Sequence, residues 1–71
     1  MDLKWIEGFD ITVGVQNQAV IISANREGLL SLASHITALA QEPEGSHIHL
    51  DPYNSLEEGS CELIIEVKQT T

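Results

Sequence analysis

Apolar and polar residues alternate along Asp10-Ile11-Thr12-Val13-Gly14-Val15, which puts Ile11, Val13 and Val15 on one face of a half-buried strand. Gln16-Asn17-Gln18 follows as a tight connection, because Asn tolerates the positive φ that hairpin turns need. Ala19-Val20-Ile21-Ile22-Ser23 is a β-branched run suited to a central, well-buried strand. Upstream, Leu3 to Glu7 reads as a short strand closed by Gly8, and the pattern leaves open whether it joins the sheet. From Asn25 the period changes. Leu29, Leu32, Ala33, Ile36, Leu39 and Ala40 recur at three- and four-residue steps, one stripe of an amphipathic helix. Asn25 is positioned to cap it and Glu27 complements the dipole of its first turn. Gly28 is a poor helix former, costing about 1 kcal/mol relative to Ala, and close packing against a strand is the reason we expect for it. Pro43 stops the helix near Gln41 or Glu42.

Two further strands follow. Ser46-His47-Ile48-His49-Leu50-Asp51 alternates, with His47, His49 and Asp51 on one face and Ile48 and Leu50 on the other. After a polar loop, Tyr53 to Ser60, the run Cys61-Glu62-Leu63-Ile64-Ile65-Glu66-Val67 turns Cys61, Leu63, Ile65 and Val67 one way and Glu62, Ile64 and Glu66 the other. The expected fold is therefore α+β: an antiparallel sheet of four to five strands with one helix packed on one face, in the order β-β(-β)-α-β-β, as a single domain over residues 1–71. One helix covers one sheet face only. The other face, carrying His47, His49, Asp51, Glu62, Ile64 and Glu66, is expected to be solvated or to dock a partner.

Composition narrows the function. A chain of 71 residues buries only about 60% of its unfolded surface, too little to wall a substrate cleft easily, which favours a binding module over an enzyme. A single Cys61 excludes an internal disulfide and fits a reducing, cytoplasmic setting. Met1 to Trp5 lacks a secretory signal pattern, and no apolar run approaches membrane-spanning length. Eleven acidic residues face three basic ones, and no Lys or Arg occurs between Glu27 and Val67. Such a surface repels nucleic acid and anionic membranes and attracts a basic protein.

The chemistry of the His47 strand admits several readings. Two imidazoles at alternate strand positions could hold a metal, with His35, Asp51 or Glu62 as third ligand. The larger expectation is no metal and no cofactor, with the histidines as surface residues near an interface. Ser46, His49 and Asp51 on one short strand cannot converge as a hydrolytic triad, and alternation turns Cys61 into the core. The loop Asn54 to Gly59 lacks the ligand spacing of a calcium loop. Tyr53 and Trp5 are candidate interface anchors if exposed, although core or edge packing suits Trp5 as well.

The helix Asn25-Arg26-Glu27-Gly28-Leu29-Leu30-Ser31-Leu32-Ala33-Ser34-His35, the strand Gly45-Ser46-His47-Ile48-His49-Leu50-Asp51 and the run Asn54-Ser55-Leu56-Glu57-Glu58-Gly59-Ser60-Cys61-Glu62-Leu63-Ile64-Ile65 resemble the small immunity proteins of bacterial polymorphic toxin systems, specifically immunity-protein family thirty-two. The resemblance covers roughly residues 20 to 67. It implies neutralisation of a cognate toxin by stoichiometric binding in the producing cell's cytosol, without catalysis. It transfers no catalytic residue. The expected partner surface is His47, His49, Asp51, Tyr53, Glu57, Glu58, Glu62 and Glu66, facing a basic toxin domain. Two competing readings are a metal-binding module centred on His47 and His49, and an oligomeric module that pairs through its bare sheet face or the edge of the Ala19-to-Ser23 run.

Overall fold

The computed structural model describes residues 4–69. Its elements run β1 (Ile11–Gln16), β2 (Ala19–Ala24), α1 (Arg26–Leu39), β3 (His47–Leu50) and β4 (Leu63–Glu66). β1 and β2 pair antiparallel in an unbroken register from Ile11↔Ala24 to Gln16↔Ala19. Asn17 and Gln18 form the turn between them, both with positive φ, 51° and 67°, the backbone twist that two-residue hairpins favour. β3 and β4 pair antiparallel from His47↔Glu66 to Leu50↔Leu63.

The class is α+β, but the expected single sheet of four to five strands is two separate two-stranded sheets. The seam between them explains the break. The Ile11 carbonyl accepts from the Glu57 amide at 2.9 Å and the Val13 carbonyl from the Cys61 amide at 2.7 Å. Two residues along β1 thus span four residues of its neighbour. The intervening chain folds into a turn closed by Ser60 N–H to the Glu57 carbonyl, 3.1 Å. The Val13 amide then donates to the Ser60 side chain, Oγ at 3.1 Å, in place of a backbone carbonyl. A ladder cannot propagate through that mismatch. The expected first strand is also absent: residues 4–6 form no strand and lead into a turn at Glu7-Gly8, while Leu3 lies outside the described residues.

Asn25 caps α1 as anticipated and does more than cap it. Its Oδ1 accepts from the Gly28 amide at 2.8 Å and from the Asp10 amide at 3.1 Å, and its Nδ2 donates to the Gly8 carbonyl at 2.9 Å. One side chain thereby clasps the approach to β1 onto the helix start. The helix ends at Leu39, slightly before the expected stop. The Gln41 and Glu42 amides bond back to the Ala38 and Leu39 carbonyls, at 3.1 and 2.9 Å, in tighter turns that precede Pro43.

The buried face of α1 is Gly28, Ser31, Leu32, His35 and Leu39, rotated from the apolar stripe expected from sequence. Leu29 and Ile36 of that stripe are exposed. The two buried polar groups are held by the segment before β1. Ser31 Oγ accepts from the Ile6 amide at 2.8 Å, and His35 Nε2–H donates to the Lys4 carbonyl at 2.8 Å. Trp5 lies edge-on to the His35 ring at a centroid distance of 4.1 Å and stacks on Phe9 at 4.5 Å. The N-terminal segment therefore packs as a strap across the helix.

The core gathers Ile11, Val13, Leu32, Leu50 and Leu56, with Trp5, Phe9, Ala24, Leu63 and Ile65 against it. Leu56, set within a loop that reads as polar, plugs the junction between the sheets and is buried. Coverage of the first hairpin fades toward its turn. Ile11 and Val13 are fully buried, whereas Val15 is 62% exposed. β2 departs furthest from expectation. It is an edge strand, not a central one, with every residue from Ala19 to Ser23 exposed. A two-stranded sheet has no central position, and α1 reaches only the Ala24 end.

Gly28 marks that contact. A Cβ there would sit 2.6 Å from the Asp10 carbonyl oxygen, 2.9 Å from Ile11 Cγ1 and 3.1 Å from the Ala24 Cβ. Close packing against the first hairpin is thus the reason for this glycine. Ala is the better helix former by about 1 kcal/mol, but overpacking costs about 1–3 kcal/mol, and the nearest clash is with backbone. Gly28→Ala is expected to lower stability by about 1–2 kcal/mol, a fall in Tm of about 4–16 °C. Thermal unfolding followed by circular dichroism checks it, and an unchanged or raised Tm would contradict the close-approach explanation.

Candidate functional site

β3 alternates as its sequence requires. His47 and His49 are exposed while Ile48 and Leu50 are buried. The register with β4 sets Glu66 across from His47 and Ile64 across from His49, so the two imidazoles, Ile64 and Glu66 share the face turned away from the core. Ile64 is 61% exposed in the middle of this face. Glu62, just before β4, comes back onto the same histidine: His49 Nε2 lies 3.3 Å from Glu62 Oε2 and 3.9 Å from Asp51 Oδ2. His49 and Glu62 both sit in solvent, so their pair contributes little to stability. It fixes instead where an imidazole and two carboxylates stand.

Asp51 is half-buried and already engaged. Its Oδ1 accepts from the Tyr53 amide at 2.9 Å and the Asn54 amide at 3.0 Å. Its carbonyl accepts from the amides of Asn54, Ser55 and Leu56. Asn54 reciprocates, with Oδ1 accepting from the Asp51 amide at 3.1 Å and Nδ2 donating to the His49 carbonyl at 3.0 Å. Asp51 thus builds the turn after β3, and that turn holds Tyr53 out at 98% exposure. Ring area left this bare in a small domain suits a contact anchor.

The structure joins some of the expected residues and separates others. His47, His49, Asp51, Glu62 and Glu66 lie together on and beside the β3–β4 pair, with Tyr53 on the adjoining turn. Glu57 and Glu58 are exposed, but the Glu57 amide is bonded to β1, which anchors these two acids at the seam between the sheets. Cys61 is exposed, contrary to the expectation that it points into the core, because β4 begins at Leu63 and the alternation does not extend back to it. His35, the proposed third metal ligand, is buried on the helix's covered face, away from the β3 imidazoles. Among the described residues no three His, Cys, Asp or Glu side chains come together as a metal-holding group. Trp5 is half-buried in its ring stack.

Sequence reasoning missed an apolar groove of about 320 Å³ between the end of α1 and β4, lined by Ile36, Leu39, Ala40, Ile65, Glu66 and Val67. Ile36 and Ala40 belong to the apolar stripe expected to be covered, and its incomplete covering was the available signal. No described helix is long and apolar enough to cross a membrane.

The chain is acidic and α+β, and it leaves the imidazoles and carboxylates of the β3–β4 face exposed. A match to the family described as Immunity protein 32 covers residues 19–68, and the chain belongs to that family. No curated protein and no solved structure matches it significantly. The matched region takes in β2, α1, β3 and β4, so every residue of the candidate face lies within it.

The role of Asp51 is testable apart from any partner. Asp51→Ala removes the acceptor for two amides, comparable to loss of a helix cap, and is expected to cost about 0.5–2 kcal/mol and to speed amide exchange at Tyr53 and Asn54. Asp51→Asn keeps an oxygen acceptor and should retain most of the stability. Equal losses in both variants would show that charge, and not the turn, is what matters.

Proposed function

We propose that this chain neutralises a cognate toxin by stoichiometric binding and that the face built from β3, β4 and the adjoining turn carries the contact. Membership of the Immunity protein 32 family, through residues 19–68, is the observation that supports a toxin-neutralising role. The choice of face rests on chemistry. His47, His49, Glu62, Ile64 and Glu66 stand exposed on and beside one sheet, and Tyr53 projects next to them. Asp51 holds the turn, while Glu57 and Glu58 extend the acidic surface toward the seam. With no Lys or Arg between Glu27 and Val67, this region attracts a basic partner and speeds its encounter. Exposed Ile64 and Tyr53 give the encounter complex apolar area to bury, which charge alone does not supply.

Inhibition in this mode requires no bond making. The chain occupies the toxin, either over its active centre or over the surface its substrate needs, and one immunity chain silences one toxin. No enzymatic step is assigned to it. The setting is the cytoplasm of the bacterium that makes both proteins.

Co-expression with the toxin domain encoded beside this gene tests the reading. The expected results are protected cells, a 1:1 complex on purification, and an association rate that falls severalfold as salt rises from about 0.02 to 0.15 M. Glu62→Gln with Glu66→Gln should slow association further and flatten its salt dependence. Failure of the neighbouring toxin to bind or be neutralised would overturn the function. Tight binding with no salt dependence would overturn the acidic-face mechanism alone.

A further inference from the structure

The first hairpin is unlike the rest of the molecule. Residues 11–25 contain no charged side chain, in a chain of net charge −8. Val15, Val20, Ile21 and Ile22 are all substantially exposed there. The backbone adds a second property. A two-residue turn makes Gln16↔Ala19 a hydrogen-bonded pair, and alternation carries this to Gly14↔Ile21 and Thr12↔Ser23. The N–H and C=O groups of Ile11 and Val13 must then point away from β2, as their bonds to Glu57, Ser60 and Cys61 confirm. By the same parity the main-chain groups of Val20 and Ile22 point away from β1. Among the described residues nothing hydrogen-bonds them on that side.

The β1 edge is thus closed at Ile11 and Val13 by the 57–61 segment, and among the described residues the β2 edge is open. It also lacks the usual protections of an edge. β2 holds no Lys and no Pro, and its one-to-one register with β1 has no bulge.

The geometry points to a second copy of this chain as the occupant: β2 pairs antiparallel with β2 of a twin molecule across a two-fold axis, merging two hairpins into one four-stranded sheet. Charge selects the partner. Two copies of net charge −8 repel wherever their acids meet, and the uncharged hairpin is the sector through which they approach without stacking like charges. A basic partner finds no carboxylate on this edge. An antiparallel strand pair is self-complementary and closes as a two-fold dimer. Four strands also relieve the marginal stability of an isolated two-strand sheet. The surface is separate from the β3–β4 face, so the dimer leaves that face free.

Sedimentation or light scattering of the purified chain over a concentration series, without toxin, tests the pairing. The expected result is a reversible species of twice the 7.8 kDa chain mass, together with slowed exchange of the Val20 and Ile22 amides as concentration rises. Ile21→Lys sets like charges across the axis and should weaken the dimer roughly tenfold or more, with an unaltered circular dichroism spectrum. If that variant does not fold, the exchange of Val20 and Ile22 in the unaltered chain decides. A monomer at millimolar concentration would overturn the inference, as would a dimer in which these amides stay unprotected. Protection of β2 that arises only when toxin is added would assign the edge to the toxin and overturn it equally.

Discussion

Everything in this molecule depends on how closely α1 approaches the first hairpin. The helix start lies against β1 and β2 at a distance that leaves no room for a Cβ at position 28, and Asn25 ties Gly8 and Asp10 to the same point. That contact fixes which helix face turns inward. It selects Gly28, Ser31 and His35 over the more apolar Leu29 and Ile36, a choice hydrophobicity alone would not make. The N-terminal strap makes the choice tolerable by bonding Ser31 and His35 with its main chain. Ser31 Oγ and His35 Nε2 are so satisfied and cheap to bury, whereas His35 Nδ1 is buried without a partner and adds a cost.

The consequences spread outward. Because the inward face of α1 is narrow, one helix spans the buried ends of both hairpins and fully covers neither. Its first turns meet Ile11 and Ala24, and its last turns border the groove with Ile65 and Val67. What remains uncovered falls into two zones of opposite character. One is the β3–β4 face, rich in imidazole and carboxylate; the other is the uncharged tip and edge of the first hairpin. In a protein this small the helix leaves both zones exposed, and the proposed recognition chemistry draws on the first of them.

The local features were legible in the sequence. Asn17 marked the hairpin turn, Asn25 the helix cap, and alternation in His47 to Leu50 put both histidines outward. Each is decided within a few residues. The sheet break was not legible, because it depends on Ser60 replacing a backbone acceptor for Val13, a meeting of residues 47 positions apart. The burial of Leu56 and the exposure of Cys61 follow from the same junction. β2 was misread for a related reason. Its β-branched run reports strand propensity, which central and edge strands share, and only the pairing partners distinguish them. Among the candidate residues, alternation grouped His47, His49, Glu62 and Glu66 correctly, but it could not show that Asp51 is engaged in a turn.

The central claim, that toxin is held by the β3–β4 face, is tested most directly by residue-resolved amide and side-chain NMR of the labelled chain titrated with its cognate toxin domain. Binding through that face predicts perturbations at His47, His49, Tyr53, Glu62, Ile64 and Glu66, with Ala19 to Ala24 unmoved at fixed chain concentration. Perturbations confined to β2 and the hairpin turn, with the histidine and Glu66 signals unchanged, would contradict it.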